Sequence, residues 1–119
     1  MKAKHLLIGA AAVALLAIFI NDLVNKDANA LELVNDRVGL KVNCSIEKVD
    51  GRRWGACRYS ANNAPASAWL KRGDMWVAGN GAAMEVINRM GTGADLQNLP
   101  NIMTDYQNPP TMPDELFAQ

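Results

Sequence analysis

The Asp50-Gly51 dipeptide constrains the fold of this chain more than any other feature of its sequence. It follows a segment in which Val42, Cys44 and Ile46 alternate with polar residues, the pattern of a strand with one buried face. Asp-Gly beside such a segment is the strongest short-range signal of a two-residue hairpin turn. We therefore predict that the backbone reverses at this dipeptide and that two antiparallel strands pair around it.

The predicted turn also sets the two cysteines opposite each other. Counting outward from it, Val49 opposes Arg52 and Cys44 opposes Cys57. The cysteine pair is a non-hydrogen-bonded one, whose Cα atoms lie about 4.5 Å apart, near the lower limit for a disulfide. We predict a structural disulfide between Cys44 and Cys57 that closes a loop of roughly a dozen residues. The alternatives are two buried thiols or a redox pair, but the C-x-x-C spacing typical of redox pairs is absent.

The residues after this hairpin predict a second hairpin and a helix. Residues 68–71 and 75–78 flank a Gly73-Asp74 turn, and Asn80 is placed to cap a helix that ends at Gly91. The predicted fold class is α+β. It comprises an N-terminal membrane or signal helix, a small four-stranded antiparallel meander with one packed helix, and an irregular C-terminal tail.

An export segment precedes this domain. Residues 6–20 form an unbroken run of apolar residues and glycine, with Lys2 and Lys4 before it. A basic stretch followed by an apolar run is what the export machinery recognises, and the flanking charge places the N-terminus in the cytoplasm. We therefore expect the chain at the inner (cytoplasmic) membrane, with its N-terminus inside and its domain in the periplasm or outside.

Two fates of this segment fit the sequence. Ala28–Ala30 matches the A-x-A cleavage pattern, so a signal peptidase would release a soluble domain that starts at Leu31. Retained as an anchor, the apolar run rises only about 22 Å, against roughly 30 Å of hydrocarbon. Snorkelling by Lys4 and inclusion of residues 23–24 would supply the missing length. The retained anchor is the preferred interpretation, and secretion or a soluble periplasmic form is the alternative.

The chain is expected to divide into four segments. These are the export segment at 1–30, a linker or stalk at 31–37, the disulfide-stapled α+β domain at 38–91 and a Pro/Asn-rich tail at 92–119. Residues 22–36 are weakly helical in pattern, with Leu31 and Val34 as candidate buried positions. The tail carries too many apolar residues for pure disorder, namely Leu96, Leu99, Ile102, Met103 and Tyr106. They either pack on the domain or form a docking segment for a partner.

Charge is unevenly distributed although the formal net charge is zero. The bases between residues 37 and 72 are Arg37, Lys41, Lys48, Arg52, Arg53, Arg58, Lys71 and Arg72, whereas the tail acids are Asp95, Asp105, Asp114 and Glu115. These charges are either solvated or form a basic surface that meets an acidic partner or the chain's own tail. A neutral chain argues against general nucleic-acid binding, so no nucleic-acid partner is predicted.

Several classes of chemistry are excluded by composition. His5, within the export segment, is the one histidine of the chain. The exported part therefore lacks the histidine needed for Ser-His-Asp or Cys-His catalysis and for histidine zinc sites. Two cysteines cannot build a four-cysteine metal site, and no G-x-x-x-x-G-K-[ST] phosphate loop is present. We predict no enzyme, no cofactor and no metal, and keep a carboxylate-based enzyme as a remote alternative.

The tryptophans suggest a binding patch. On the predicted register Trp54 lies on the polar face beside Arg52 and Arg58, and tryptophan among arginines is typical of protein-binding sites. The alternative is that a loop or the acidic tail covers Trp54. Trp69 and Trp76 are expected to face opposite sides of the sheet, which would place one of them in the core.

These observations together favour a non-enzymatic, membrane-anchored extracytoplasmic protein. Its domain would bind another envelope or membrane protein as an accessory or regulatory subunit of an envelope assembly. The alternative is a secreted soluble binder or inhibitor released after Ala30.

Overall fold

A computed structural model describes residues 25–91 and 98–118 of the chain, so the apolar run at 6–20 lies outside the described residues. The described part of helix α1 spans residues 25–36. Then follow strands β1 (Val42–Val49), β2 (Arg52–Tyr59), β3 (Pro65–Arg72) and β4 (Met75–Ala78), helix α2 (Gly81–Met90), strand β5 (Asn101–Met103) and a 3-10 helix (Asp114–Phe117). Among the described residues, no helix combines the length and the apolar character needed to cross a bilayer.

Strands β1 and β2 pair as predicted around the Asp50-Gly51 turn. Their register places Val49 opposite Arg52 and Cys44 opposite Cys57. Both turn residues have positive φ, 51° and 75°, as a two-residue hairpin turn of type I′ requires. The predicted disulfide is confirmed, with Cα atoms 4.0 Å apart.

The sheet differs from the predicted four-stranded meander. The β3–β4 hairpin has the expected register, with Leu70 opposite Val77. A fifth strand then pairs in parallel with β4, giving a mixed sheet in the order β1-β2-β3-β4-β5. The physical reason is the position of α2, because a helix between two neighbouring strands forms a crossover that brings the second strand back in the same direction.

Helix α2 has the predicted ends and is tied to β3 by its cap. The Asn80 side chain accepts hydrogen bonds from the backbone N–H of Ala83 and of Ala68, both at 3.0 Å. Its amide nitrogen donates to the Ala66 carbonyl at 2.8 Å. The helix ends at Gly91, whose N–H bonds to the Ile87 carbonyl. The cap therefore fixes the helix against the strand that it covers.

Helix α1 contributes to the core, at residues for which the sequence had suggested a linker or stalk (31–37). Leu31 and Val34 are fully buried in the same cluster as Val86 of α2, so both helices cover one face of the sheet. The Leu31 side chain lies over Gly55, where any Cβ would overlap it. The apolar spacing had indicated both buried positions, but it did not show which surface covers them.

Trp69 and Trp76 are both fully buried on this helix-covered face, so the expectation of opposite faces was wrong. In the observed register Trp76 opposes Lys71. Lys71 lies two residues from Trp69 along β3, and residues two apart on a strand share a face. The two indoles therefore fall side by side in one core.

The opposite face of the sheet is covered by the C-terminal segment of residues 104–118, which we call the strap. Its Leu116 is buried, and Met112 and Phe117 are partly buried, against the sheet. The sheet residues beneath are Trp54, Ala56, Ala68 and Leu70. The tail is irregular over residues 104–113, as expected, and packs on the sheet as a third layer of the domain, which was one of the two alternatives for it.

Candidate functional site

The predicted patch of Arg52, Trp54 and Arg58 does not form an open surface. Trp54 lies on the expected face but is only 2% exposed, because the strap covers it. Arg52 is exposed and lines a groove with Trp54 and Pro113 of the strap. The tail therefore covers Trp54, as one of the two interpretations of the sequence expected.

Arg58 binds the strap. Its Nη2 donates to the Phe117 carbonyl at 2.7 Å, and its guanidinium carbon lies 5.3 Å from the centroid of the Phe117 ring. Its Nη1 also donates to the Asn63 carbonyl at 3.2 Å. This combination of hydrogen bond and cation–π contact fixes the end of the strap on the sheet. The side chain predicted to meet a partner instead holds the chain's own C-terminal segment.

Arg72 holds the other end of the strap. Its Nη1 donates to Asp105 Oδ2 at 3.0 Å and to the Asn108 carbonyl at 3.1 Å. Asp105 Oδ1 accepts the backbone N–H groups of Gln107 at 3.1 Å and Asn108 at 2.9 Å. The basic surface of the sheet therefore meets an acid of the tail, which was one of the two alternatives for these charges.

The same contacts lower the pKa of Asp105 below its ordinary value of 3.8. The largest cause is the hydrogen bond from the Asn108 N–H, which favours the charged carboxylate. The Gln107 N–H and the Arg72 guanidinium act in the same direction, against a desolvation that raises the pKa. The carboxylate thus closes residues 105–108 into a fixed turn, which we call the Tyr106 loop.

This loop presents an aromatic side chain to solvent. Tyr106 is 74% exposed, and Met103 at the end of β5 is 37% exposed. They are the two large apolar side chains exposed in the described part of the chain. Tyrosine combines a large apolar ring with a hydroxyl and is enriched at protein-binding hot spots. Because the loop is already held in place, a partner would lose little conformational entropy in ordering it.

The apolar residues of the predicted docking segment are divided by the fold. Leu99 and Ile102 pack against the core, whereas Met103 and Tyr106 face solvent. Leu96 lies outside the described residues. The sequence had left two alternatives for all five residues, packing on the domain or docking to a partner. The sequence signal for the loop was Asp105 followed by Gln107 and Asn108, since an aspartate accepts N–H groups two or three residues ahead.

The described residues offer no arrangement for metal binding. Within 25–91 and 98–118, no three His, Cys, Asp or Glu side chains converge as ligands. The features brought together by the fold are the pinned strap, the exposed Tyr106 loop and the disulfide.

Comparison with known proteins identifies no relative. No family model matches the chain, and no curated protein or solved structure is significantly similar to it.

Proposed function

We propose that this chain is a non-enzymatic, membrane-anchored extracytoplasmic protein whose domain binds another envelope protein, as an accessory or regulatory subunit of an envelope assembly. The observation that carries the proposal is the exposure of Tyr106, 74%, on a loop held by Asp105 and Arg72. A large exposed aromatic ring on a fixed backbone is the common form of an interface hot spot. Met103, three residues before Tyr106, is the other large apolar side chain exposed among the described residues.

The packing of α1 supports a retained anchor over cleavage. The A-x-A motif at residues 28–30 lies within α1, and the next residue, Leu31, is fully buried. Cleavage after Ala30 would place a charged amino group on a residue of the core, which is unfavourable without a partner. It would also remove Asp27, whose Oδ2 lies 3.1 Å from Arg53 Nη1.

The disulfide supports an extracytoplasmic location. Structural disulfides persist in oxidising compartments such as the periplasm and are rare in the reducing cytoplasm. The Cys44–Cys57 bridge joins neighbouring strands within the core and has no C-x-x-C redox spacing. Its role is therefore structural, and the domain gains that stabilisation after export.

Partner binding is tested by cross-linking and capture of the full chain from native membranes. Tyr106→Ala should raise the Kd for the partner by at least about thirtyfold, the effect of a hot spot worth about 2 kcal/mol or more, and so lower its recovery. Tyr106→Phe keeps the ring and should retain most binding. Gln107→Ala, an exposed change in the same loop, is the matched control. Equal recovery with Tyr106→Ala, or no specific partner, would refute the proposed role of this surface.

The anchor is tested by alkaline carbonate extraction and by sequencing the N-terminus of the natively expressed protein. The proposal is supported if the protein stays in the membrane fraction and its N-terminal sequence still begins at Met1 or within the intact leader. A soluble protein that starts at Leu31 would instead support the alternative, a secreted binder or inhibitor released after Ala30.

A further inference from the structure

The length of chain before α1 limits how far the domain lies from the membrane, on the proposed function that residues 6–20 remain inserted. Asn25, the first described residue, follows Ile20 by five residues. Even fully extended, five residues span at most about 18 Å. The headgroup layer itself extends about 5–7 Å beyond the hydrocarbon on each side. The start of α1 therefore lies at or near the lipid headgroups.

The β1–β2 hairpin is fixed to this same end of α1. Asp27 Oδ2 lies 3.1 Å from Arg53 Nη1, and Arg53 opposes Lys48 one pair away from the Asp50-Gly51 turn. Helix α1 is itself held in the core by Leu31. The hairpin turn therefore follows the start of α1 wherever the anchor places it.

This end of the domain carries exposed positive charge. Lys26, Lys48, Arg52 and Arg53 are all exposed, and we call them the basic tip. The nearby acids are Asp27, Glu47 and Asp50, against four bases, and Asp27 is paired with Arg53. Among the described residues, no carboxylate pairs with Lys26, Lys48 or Arg52. The basic tip thus has charge left over for an external anion.

We propose that the basic tip binds the headgroups of anionic phospholipids in the membrane that anchors the chain. Each exposed base near an anionic bilayer is attracted within a screening length of about 8 Å, and several bases act together. Four long side chains spread over a helix start and a hairpin turn match a fluid layer of phosphates better than one discrete anion. This contact would hold the domain against the bilayer and fix the direction in which the Tyr106 loop faces.

The test measures the reactivity of individual lysines in the full chain. The protein is reconstituted in nanodiscs of phosphatidylcholine alone or mixed with phosphatidylglycerol, and amine acylation rates are read by mass spectrometry. Anionic lipid should slow labelling of Lys26 and Lys48 by about fivefold at low salt, and high salt should restore it. Lys41, exposed beyond the other end of α1, is the internal control and should not change.

Matched double substitutions separate local contact from overall charge. Lys48→Gln/Arg52→Gln should restore labelling of Lys26 in anionic discs. Lys41→Gln/Arg89→Gln removes the same charge from exposed sites away from the tip and should leave the protection intact. Protection that is equal in both lipids, or that appears only with a co-purified protein, would overturn the lipid proposal while leaving the anchor in place. A chain that enters neither disc would overturn the anchor and this inference together.

Discussion

At the scale of single residues, Gly55 leaves room on β2 for the Leu31 side chain of α1. A Cβ at position 55 would overlap Leu31 and would lie 3.6 Å from the Trp76 ring. Gly55→Ala should therefore displace α1 and lower the free energy of unfolding by about 1–3 kcal/mol. Urea unfolding of the protein measures this change.

Gly81→Ala is the matched control, because a Cβ there meets nothing within 4 Å. It should be neutral or slightly stabilising. The double change Leu31→Ala/Gly55→Ala should cost less than the sum of its two single changes, since the smaller side chain removes the overlap. A Gly55→Ala protein as stable as wild type would show that α1 does not pack in this position.

The Asp105 carboxylate makes the Tyr106 loop sensitive to acid. Its pKa is lowered in the folded protein, so its stabilising contribution is present above its ordinary value of 3.8 and is lost as pH falls through the folded value. The amide proton shifts of Gln107 and Asn108 should therefore move below about pH 4. They are followed by NMR during an acid titration.

Two substitutions test the assignment of that titration. Asp105→Asn should abolish the acid-dependent shift of both amides, because the titrating group is gone. Asp74→Asn, which changes an aspartate in the β3–β4 turn, should leave it unchanged. A midpoint at or above 3.8 in the wild-type protein would contradict the lowered pKa.

At the scale of elements, the two hairpins could be predicted because their information is local. The Asp50-Gly51 turn alone gave the pairing of Cys44 with Cys57, and the Gly73-Asp74 turn gave that of Leu70 with Val77. Turn residues with positive φ and a period of two act over a few residues of chain. The register of each hairpin could therefore be predicted by counting residues outward from its turn.

Strand β5 was missed, and packing of the strap on the sheet was only one of two alternatives, because their contacts are distant in sequence. Strand β5 has three residues, too few for a pattern, and it pairs across the intervening helix α2. Arg58 meets the Phe117 carbonyl from 59 residues away. Periodicity placed Trp54 on the correct face but carried no signal for what covers that face. The placement of the strap and of the Tyr106 loop depends on these distant contacts, so Tyr106 could be identified as apolar but not as exposed.

The strap predicts a measurable change in the exposure of Trp54. Deleting residues 111–119 removes Leu116 and Phe117 from the face that holds Trp54. The loss of their packing should destabilise the domain by about 3 kcal/mol. The emission of Trp54 should shift to the red and become accessible to acrylamide quenching.

Trp69 and Trp76 lie on the other face and should remain protected from the quencher. Trp54→Phe in the truncated chain should remove the quenchable component, which assigns the signal. Arg58→Ala tests the same contact without truncation, since it removes the hydrogen bond to Phe117. Unchanged quenching in both variants would mean that the strap does not cover Trp54.

At the scale of the whole molecule, the two helices cover one face of the sheet and the strap covers the other. Leu31 and Val34 of α1 are buried in the same core as Val86 of α2. Residues 25–27, at the other end of α1, follow the apolar run in sequence. The strap, which carries Tyr106, lies on the face that α1 does not cover. The membrane contact and the partner contact proposed above would therefore use separate faces of one small domain.

The stability of the whole domain should depend on the redox state of its compartment. The bridge joins residues separated by 13 positions, and closing a loop of that size contributes about 3 kcal/mol. A domain of this size is marginal without a staple, so reductant should lower the melting temperature by roughly 12–24 °C. Cys44→Ser/Cys57→Ser should melt near the reduced value and not respond to reductant. In natively exported, unreduced protein neither cysteine should be alkylated. Alkylation of both would show that the bridge does not form in the cell and would remove the support that the bridge gives to an oxidising location.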